Sequence, residues 1–135
     1  MEKDPSKTAR IIGYTMAVVA VGFGLMTLKA GGSVLFGSDQ ARRAAGDYVP
    51  FVVWFNFTAG FAYVAAGVGL WNRRRWARWL AALIAAGSAL TYLAFGLHVF
   101  RGGAYEMRTV VAMGVRTGLW TVIAVVSFGL FGRAD

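Results

Sequence analysis

The sequence predicts an all-α integral membrane protein, a single domain built as a bundle of four transmembrane helices. Composition is the first reason: 58% of the 135 residues are hydrophobic, which is more apolar surface than one small soluble core can bury. Length is the second, because four apolar segments each provide the roughly 20 residues that a helix needs to cross a bilayer. Charge is the third, because the 14 lysines and arginines cluster at the edges of the apolar segments, as is typical of membrane proteins.

The four predicted spans cover about residues 10–28, 48–71, 76–100 and 109–131. We expect the first span to be retained rather than cleaved as a signal peptide, because its apolar run is longer than a usual signal core. Pro50 falls in the first turn of the second span, where its missing N–H costs nothing. The link over residues 30–47 contains four glycines and is expected to be flexible or re-entrant.

A run of arginines and tryptophans between the second and third spans predicts the direction of insertion. Cytoplasmic loops are rich in Lys and Arg, and indole rings favour the headgroup level of the bilayer. We therefore expect a bacterial inner-membrane protein with both termini cytoplasmic and no nucleic-acid partner. The predicted lipid anchor in the stretch WNRRRWARW comprises Arg73, Arg74, Arg75, Trp71, Trp76 and Trp79.

Two pairs of matching segments indicate an internal duplication. FGLMTLKAGG, which begins at residue 23, resembles FGLHVFRGG, which begins at residue 95, and GLWNR near residue 70 resembles GLFGR near residue 130. The simplest account is a doubled helical hairpin with halves of about 1–72 and 73–135, a known construction in membrane proteins. This alignment pairs Asn56 with Arg116, and Met26 with His98.

Arg116 is the most unusual residue of the predicted spans, because it lies about two turns inside the fourth one. An arginine at that depth costs about 2.5 kcal/mol or more unless it is paired. One interpretation is a structural latch, in which Arg116 bonds Asn56, Glu106 or backbone carbonyls; Asp47 is the second candidate acid. The other interpretation is a periplasm-facing pocket that holds an anionic or quinone-like headgroup. The predicted polar site comprises Asn56, His98, Glu106, Arg108 and Arg116.

His98, the one histidine of the chain, raises the hypothesis of a metal or haem site. Met26, Met107 and Met113 could supply thioether ligands beside its imidazole, a set that suits Cu(I) or haem. The alternative is a hydrogen-bonded histidine at a helix end with methionines as core fillers. No cofactor is therefore predicted, and haem, copper and quinone remain open alternatives.

The predicted spans contain no Asp or Glu, and the sequence holds no cysteine and no recognisable catalytic set. We therefore expect a protein that is not an enzyme and that does not carry protons or cations. The leading hypothesis is an accessory subunit of a larger membrane complex, in contact with lipid, with other membrane subunits or with further copies of itself. The alternatives are an oligomeric transporter or channel for a small anion or lipid-like ligand, and a copper- or haem-binding redox protein.

Overall fold

A computed structural model describes residues 7–131 of the chain. This part of the chain is helical and contains no strand. Its helices, in chain order, are α1 Lys7–Phe36, α2 Asp39–Ala45, α3 Pro50–Trp71, α4 Arg75–Phe100 and α5 Met107–Phe131. The four longer helices have the length and the apolar composition that crossing a membrane requires. The predicted all-α fold with four membrane-spanning helices is confirmed.

Three of the predicted spans agree with α3, α4 and α5 to within about two residues, but the first span is wrong at its end. α1 has 30 residues, so it is about 45 Å long and continues through two glycines of the predicted loop. Gly31 lies where α3 approaches closely, because a Cβ there would be 3.1 Å from the Cβ of Phe57. The glycine therefore permits close packing between α1 and α3 and does not make the chain flexible.

The rest of the predicted flexible link is also structured. Ser38 caps α2: its side-chain oxygen accepts a hydrogen bond of 3.2 Å from the backbone N–H of Ala41. A Ser at this position is a preferred way to satisfy the first N–H groups of a helix. Gly46 ends α2 with a positive φ of 71°, a conformation that suits glycine. The expectation of a flexible loop is therefore wrong, and the re-entrant alternative stays a prediction.

The long helices expose most of their apolar surface. Only 22–33% of the residues in each spanning window are buried, and Leu83, Leu90 and Leu93 of α4 are each about two-thirds exposed. Water would penalise so large an exposed apolar surface, whereas acyl chains accept it. The exposed leucines and valines therefore indicate contact with a lipid bilayer.

The helices pack in sequence order around a core that contains Tyr63 and Trp120. α1 packs on α3, α3 on α4, and α4 on α5, whereas α1 and α5 meet at few points. Glycines allow the closest approach, since a Cβ on Gly24 would be 2.9 Å from the carbonyl oxygen of Gly60. Any up-and-down bundle would pair its helices this way, so the duplication of residues 1–72 and 73–135 stays a prediction.

The bundle has two ends that differ in charge. The α2 end carries the links before and after α2 and the link between α4 and α5, and the turn end carries the three-residue turn between α3 and α4. The acids within residues 7–131 are Asp39, Asp47 and Glu106, and all three lie at the α2 end. The arginine-rich turn lies at the other end. The side of the membrane that each end faces stays a prediction.

Candidate functional site

A cleft of about 260 Å³ opens at the α2 end and contains four of the five predicted site residues. We call it the arginine cleft. α1 and α5 form its two sides and α3 forms its back wall, so the cleft occupies the gap where α1 and α5 barely touch. The predicted residues that line it are Asn56, Glu106, Arg108 and Arg116. The structure therefore brings together residues from the middle and the end of the chain.

Arg116 lies deep in this cleft, nine residues after the start of α5, or about 13 Å along the helix. Its Nη1 donates hydrogen bonds to the Oγ1 of Thr27, at 2.8 Å, and to the phenolic oxygen of Tyr63, at 3.3 Å. The guanidinium carbon also lies 4.9 Å from the ring centre of Phe23 and 5.9 Å from that of Tyr63. Hydroxyls and aromatic faces thus surround this cation.

The sequence interpretation chose the wrong partners for Arg116. Asn56 and Glu106 line the cleft, but the hydrogen bonds of Arg116 go to Thr27 and Tyr63. Side chains on a helix tilt toward its N-terminus, and α3 begins at the α2 end. The long side chain of Tyr63 therefore reaches back toward the level of Asn56 and places its hydroxyl at Arg116. Thr27 and Tyr63 were identifiable in sequence as hydroxyl residues inside apolar spans.

Several polar groups of the cleft have no partner. All hydrogen bonds of the Arg116 side chain run through Nη1, and its Nε–H is buried without a hydrogen-bond partner among residues 7–131. The Oδ1 of Asn56 is also buried without a hydrogen-bond partner among residues 7–131. The edge of a guanidinium formed by Nε and Nη2 can donate two parallel hydrogen bonds to the oxygens of one carboxylate or phosphate group. Residues 7–131 therefore leave the Nε–H of Arg116 unsatisfied, in a position shielded from solvent.

Arg108 and Glu106 form the rim of the cleft. The Nη2 of Arg108 donates to the carbonyl oxygens of Ala44 and Ala45, both at 3.1 Å, and lies 3.4 Å from the Oε1 of Glu106. These contacts connect the start of α5 to the end of α2. A Cβ on Gly46 would collide with the carboxylate of Glu106, so glycine at that position leaves room for the acid. The predicted counter-charge of Arg116 is therefore committed to Arg108.

His98, the fifth predicted site residue, lies outside the arginine cleft. It lines a separate depression at the α2 end together with Phe51 and Arg101. Its Nε2 lies 2.9 Å from the carbonyl oxygen of Ala104, and because a carbonyl can only accept, Nε2 is the donor. The histidine thus joins the end of α4 to the link that follows it.

The methionines of the metal hypothesis have different environments. Met113 is fully buried in a small core cluster, whereas Met26 and Met107 are 70% and 64% exposed. Within residues 7–131, no group of three or more His, Cys, Asp or Glu side chains is placed to hold a metal ion. Copper or haem binding through His98 stays a hypothesis that the geometry does not favour.

The predicted lipid anchor lies at the turn end, which is the end of the bundle opposite the arginine cleft. Trp71, Trp76 and Trp79 are each half exposed or more, as interfacial indoles are. Arg78, which follows the anchor arginines, is buried with its guanidinium 5.0 Å from the ring centre of Phe128. The amphipathic tryptophan rings and the arginine charges thus occupy one level of the bundle.

The arginine cleft combines two fixed cations, one carboxylate already paired, an unbonded amide oxygen and apolar walls from α1 and α3. Arginine stays protonated in proteins, so both guanidiniums of the cleft carry a fixed positive charge. The comparisons with known proteins name no relative for this arrangement. No protein-family model, no curated protein and no solved structure matches the chain.

Proposed function

We propose that the protein is a non-enzymatic binding protein whose arginine cleft holds the anionic headgroup of an amphiphilic molecule. The observation that carries the proposal is Arg116: a half-buried cation with no carboxylate partner among residues 7–131, deep in an open cleft. An arginine kept at such depth in a membrane protein is expected to have a functional role.

The energetics support an anionic ligand. A guanidinium inside a span costs about 2.5 kcal/mol or more, and a buried donor without a partner costs about 1–3 kcal/mol. The two hydrogen bonds and the aromatic faces offset part of that cost. A bound oxyanion would supply the opposite charge beside the guanidinium, which is why the cleft favours an anionic ligand.

The cleft walls support an amphiphile over a small ion. Thr27, Asn56 and Arg116 supply polar groups, whereas Val34, Val49, Val52 and Val53 supply apolar walls. Since α1 and α5 meet at few points, a lipid-like molecule has a path into the cleft from the bilayer between these two helices. A headgroup on Arg116 with a chain between α1 and α5 would satisfy both kinds of surface.

We place the arginine cleft on the periplasmic side of a bacterial inner membrane. The turn end carries the densest group of basic residues in the sequence, Arg73, Arg74, Arg75 and Arg78. The positive-inside rule then assigns the turn end to the cytoplasm. The arrangement supports binding without catalysis, because its only carboxylate is paired with Arg108.

Titration calorimetry in a neutral detergent tests the proposal. We expect short-chain phosphatidylglycerol to bind, and short-chain phosphatidylcholine to bind at least tenfold more weakly. Arg116→Gln should weaken the binding of phosphatidylglycerol about 10- to 100-fold, as for loss of a charged hydrogen bond. Arg101→Gln removes an exposed arginine at the same end but outside the cleft, and should leave the affinity unchanged. Inorganic phosphate tests whether a free anion binds without a lipid chain, and a quinone analogue tests whether a neutral headgroup binds. Equal binding of both lipids, or no effect of Arg116→Gln, would contradict the proposal.

An accessory role within a larger membrane complex is the second candidate. Gly22, Gly96, Gly118 and Gly129 are exposed on the long helices, and a Cβ on any of them would contact nothing within 4 Å. Glycines that the bundle itself does not use permit close approach of further helices. Purification in mild detergent tests this candidate: defined partner subunits would support it, and a clean monomer would contradict it.

A further inference from the structure

An apolar depression runs along the outer surface between α1 and α3, toward the turn end of the bundle. This α1–α3 groove has a volume of about 430 Å³. Its walls are valines and Trp71, and its floor is Gly67. Within residues 7–131, Asn72, where α3 ends, is the only polar residue that lines it. Val18 and Val68 on its two walls are 62% and 49% exposed. The groove is thus an apolar trough that ends at the turn between α3 and α4.

Glycines create this groove. At Gly67 the two helices are in contact, since a Cβ there would be 2.6 Å from a methyl carbon of Val21 and 3.0 Å from the carbonyl oxygen of Ala17. At Gly22, on the α1 side, a Cβ would meet nothing within 4 Å. The floor is therefore fixed by helix packing, whereas no residue within 7–131 fills the space beside Gly22.

Arginines lie close in sequence to the residues at the polar end of the groove. Asn72 is followed directly by Arg73 and Arg74. On α1, Arg10, Tyr14 and Val18 follow one another at intervals of four residues, so they lie along one face of the helix. The Tyr14 ring centre is 4.5 Å from that of Trp71, which brings this face of α1 to the groove. The three described acids all lie at the other end of the bundle.

We propose that the α1–α3 groove holds an acyl chain of an anionic phospholipid, with the headgroup beside Arg10 and Arg74. In a bilayer an apolar trough on the outer face is in contact with acyl chains, and each surface arginine favours an anionic lipid by about fivefold. The site is separate from the arginine cleft, because it lies at the opposite end and shares no residue with it.

A second copy of the chain is the competing occupant, and charge disfavours it. A two-fold axis along the membrane normal would place the same surface of both copies face to face. Arg10, Arg73 and Arg74 of one copy would then approach the same arginines of the other, and like charges repel. An anionic headgroup has the opposite effect, since it neutralises these arginines.

Photolabelling in vesicles tests the inference. Phosphatidylglycerol and phosphatidylcholine that carry a diazirine in one acyl chain are incorporated separately, and adducts are mapped by peptide mass spectrometry. We expect adducts at Val18–Gly22 and Gly67–Trp71 to be more abundant with phosphatidylglycerol. Arg10→Gln together with Arg74→Gln should remove that preference, roughly fivefold for each arginine, while labelling by the neutral lipid remains.

Gly22→Leu is the decisive variant, because it fills the groove where space is open and should abolish labelling there. Gly96→Leu, at an exposed glycine of α4 with equal free space, should leave it unchanged. Arg116→Gln should also leave groove labelling intact, so failure of the arginine cleft and failure of this groove are distinguishable. Equal labelling by the two lipids, unchanged labelling in Gly22→Leu, or a dimer that Gly22→Leu dissociates would overturn the proposal.

Discussion

Arg116 and Arg78 are two arginines within the helices, and their comparison shows what sets the arginine cleft apart. Each guanidinium lies against aromatic rings: Arg116 is 4.9 Å from the centre of Phe23, and Arg78 is 5.0 Å from that of Phe128. They differ in depth, because Arg78 lies in the first turn of α4 and Arg116 lies more than two turns into α5. Arg78 therefore lies near the turn end of the bundle, whereas Arg116 lies inside the fourth long helix.

Burial alone therefore does not mark the site. Arg78 is 8% exposed and is the more buried of the two, yet aromatic cover near a membrane surface is an ordinary setting for an arginine. Arg116 is less buried because it faces an open cleft. Depth together with an open cleft is what distinguishes a cation placed for a ligand from one placed for packing and anchoring.

The largest effect that we predict is a difference between the stability changes at these two arginines. Arg116→Leu should leave the free energy of unfolding of the empty protein unchanged or raise it by about 1–3 kcal/mol, because a buried charge is replaced by an apolar side chain. Arg78→Leu should lower it by about 1–2 kcal/mol, because the contact with Phe128 and the interfacial charge are lost. Denaturation in mixed micelles measures both.

Arg78→Lys serves as the control, because it keeps the charge at the membrane surface and should recover part of the loss. If Arg116→Leu destabilised the empty protein more than Arg78→Leu does, Arg116 would be a structural latch and the comparison would fail.

A second, smaller effect tests whether the rim of the cleft is held in one arrangement. Gly46→Ala should lower the unfolding free energy by about 2 kcal/mol, because its positive φ disfavours a Cβ and the Cβ would displace the carboxylate of Glu106. Gly102 has a φ of 85° but free space around it, so Gly102→Ala should cost about 1 kcal/mol, from the backbone alone. Equal losses in the two variants would mean that the contact between Gly46 and Glu106 does not matter.

The smallest effect concerns the two hydroxyls that position Arg116. Tyr63→Phe keeps the aromatic face but removes the acceptor for Nη1, and Thr27→Val removes the shorter hydrogen bond. Each should weaken phosphatidylglycerol binding by about 1 kcal/mol, roughly fivefold, as expected for a single hydrogen bond. Thr121→Val is the matched control, since Thr121 bonds the carbonyl oxygen of Thr117 within its own helix. A change in affinity for Thr121→Val equal to that for Thr27→Val would contradict a local role for the hydroxyls.

The sequence was sufficient to predict the four spans because apolar length and charged edges are local signals. It also identified Arg116, Asn56, Glu106 and Arg108 as neighbours, since polar residues at similar depth in a bundle tend to meet. It did not predict that α1 continues to Phe36, because glycine is a sign of flexibility in water and of close packing in lipid.

The partners of Arg116 were not predictable for a different reason. Which hydroxyl meets a guanidinium depends on the rotation of three helices about their axes and on the N-terminal tilt of side chains. Neither Thr27 nor Tyr63 stands out in the sequence once Asn56 is present as a more obvious partner. His98 was grouped with the cleft because it lies near Arg101 and Glu106 in sequence, but α4 places it on another side of the bundle.

The most direct test of the central claim, that Arg116 lies at the base of an anion-binding cleft open at the α2 end, uses a single cysteine. The chain has no cysteine of its own, so Ala112→Cys, which lines the cleft one turn above Arg116, gives one reactive thiol. Ser88→Cys, at a fully buried position, is the unreactive control. In membrane vesicles of known orientation, we predict labelling by a charged, impermeant thiol reagent from the periplasmic side, slowed at least tenfold by phosphatidylglycerol. No labelling, labelling only from the side of the arginine-rich turn, or labelling that the anionic lipid does not slow would contradict the claim.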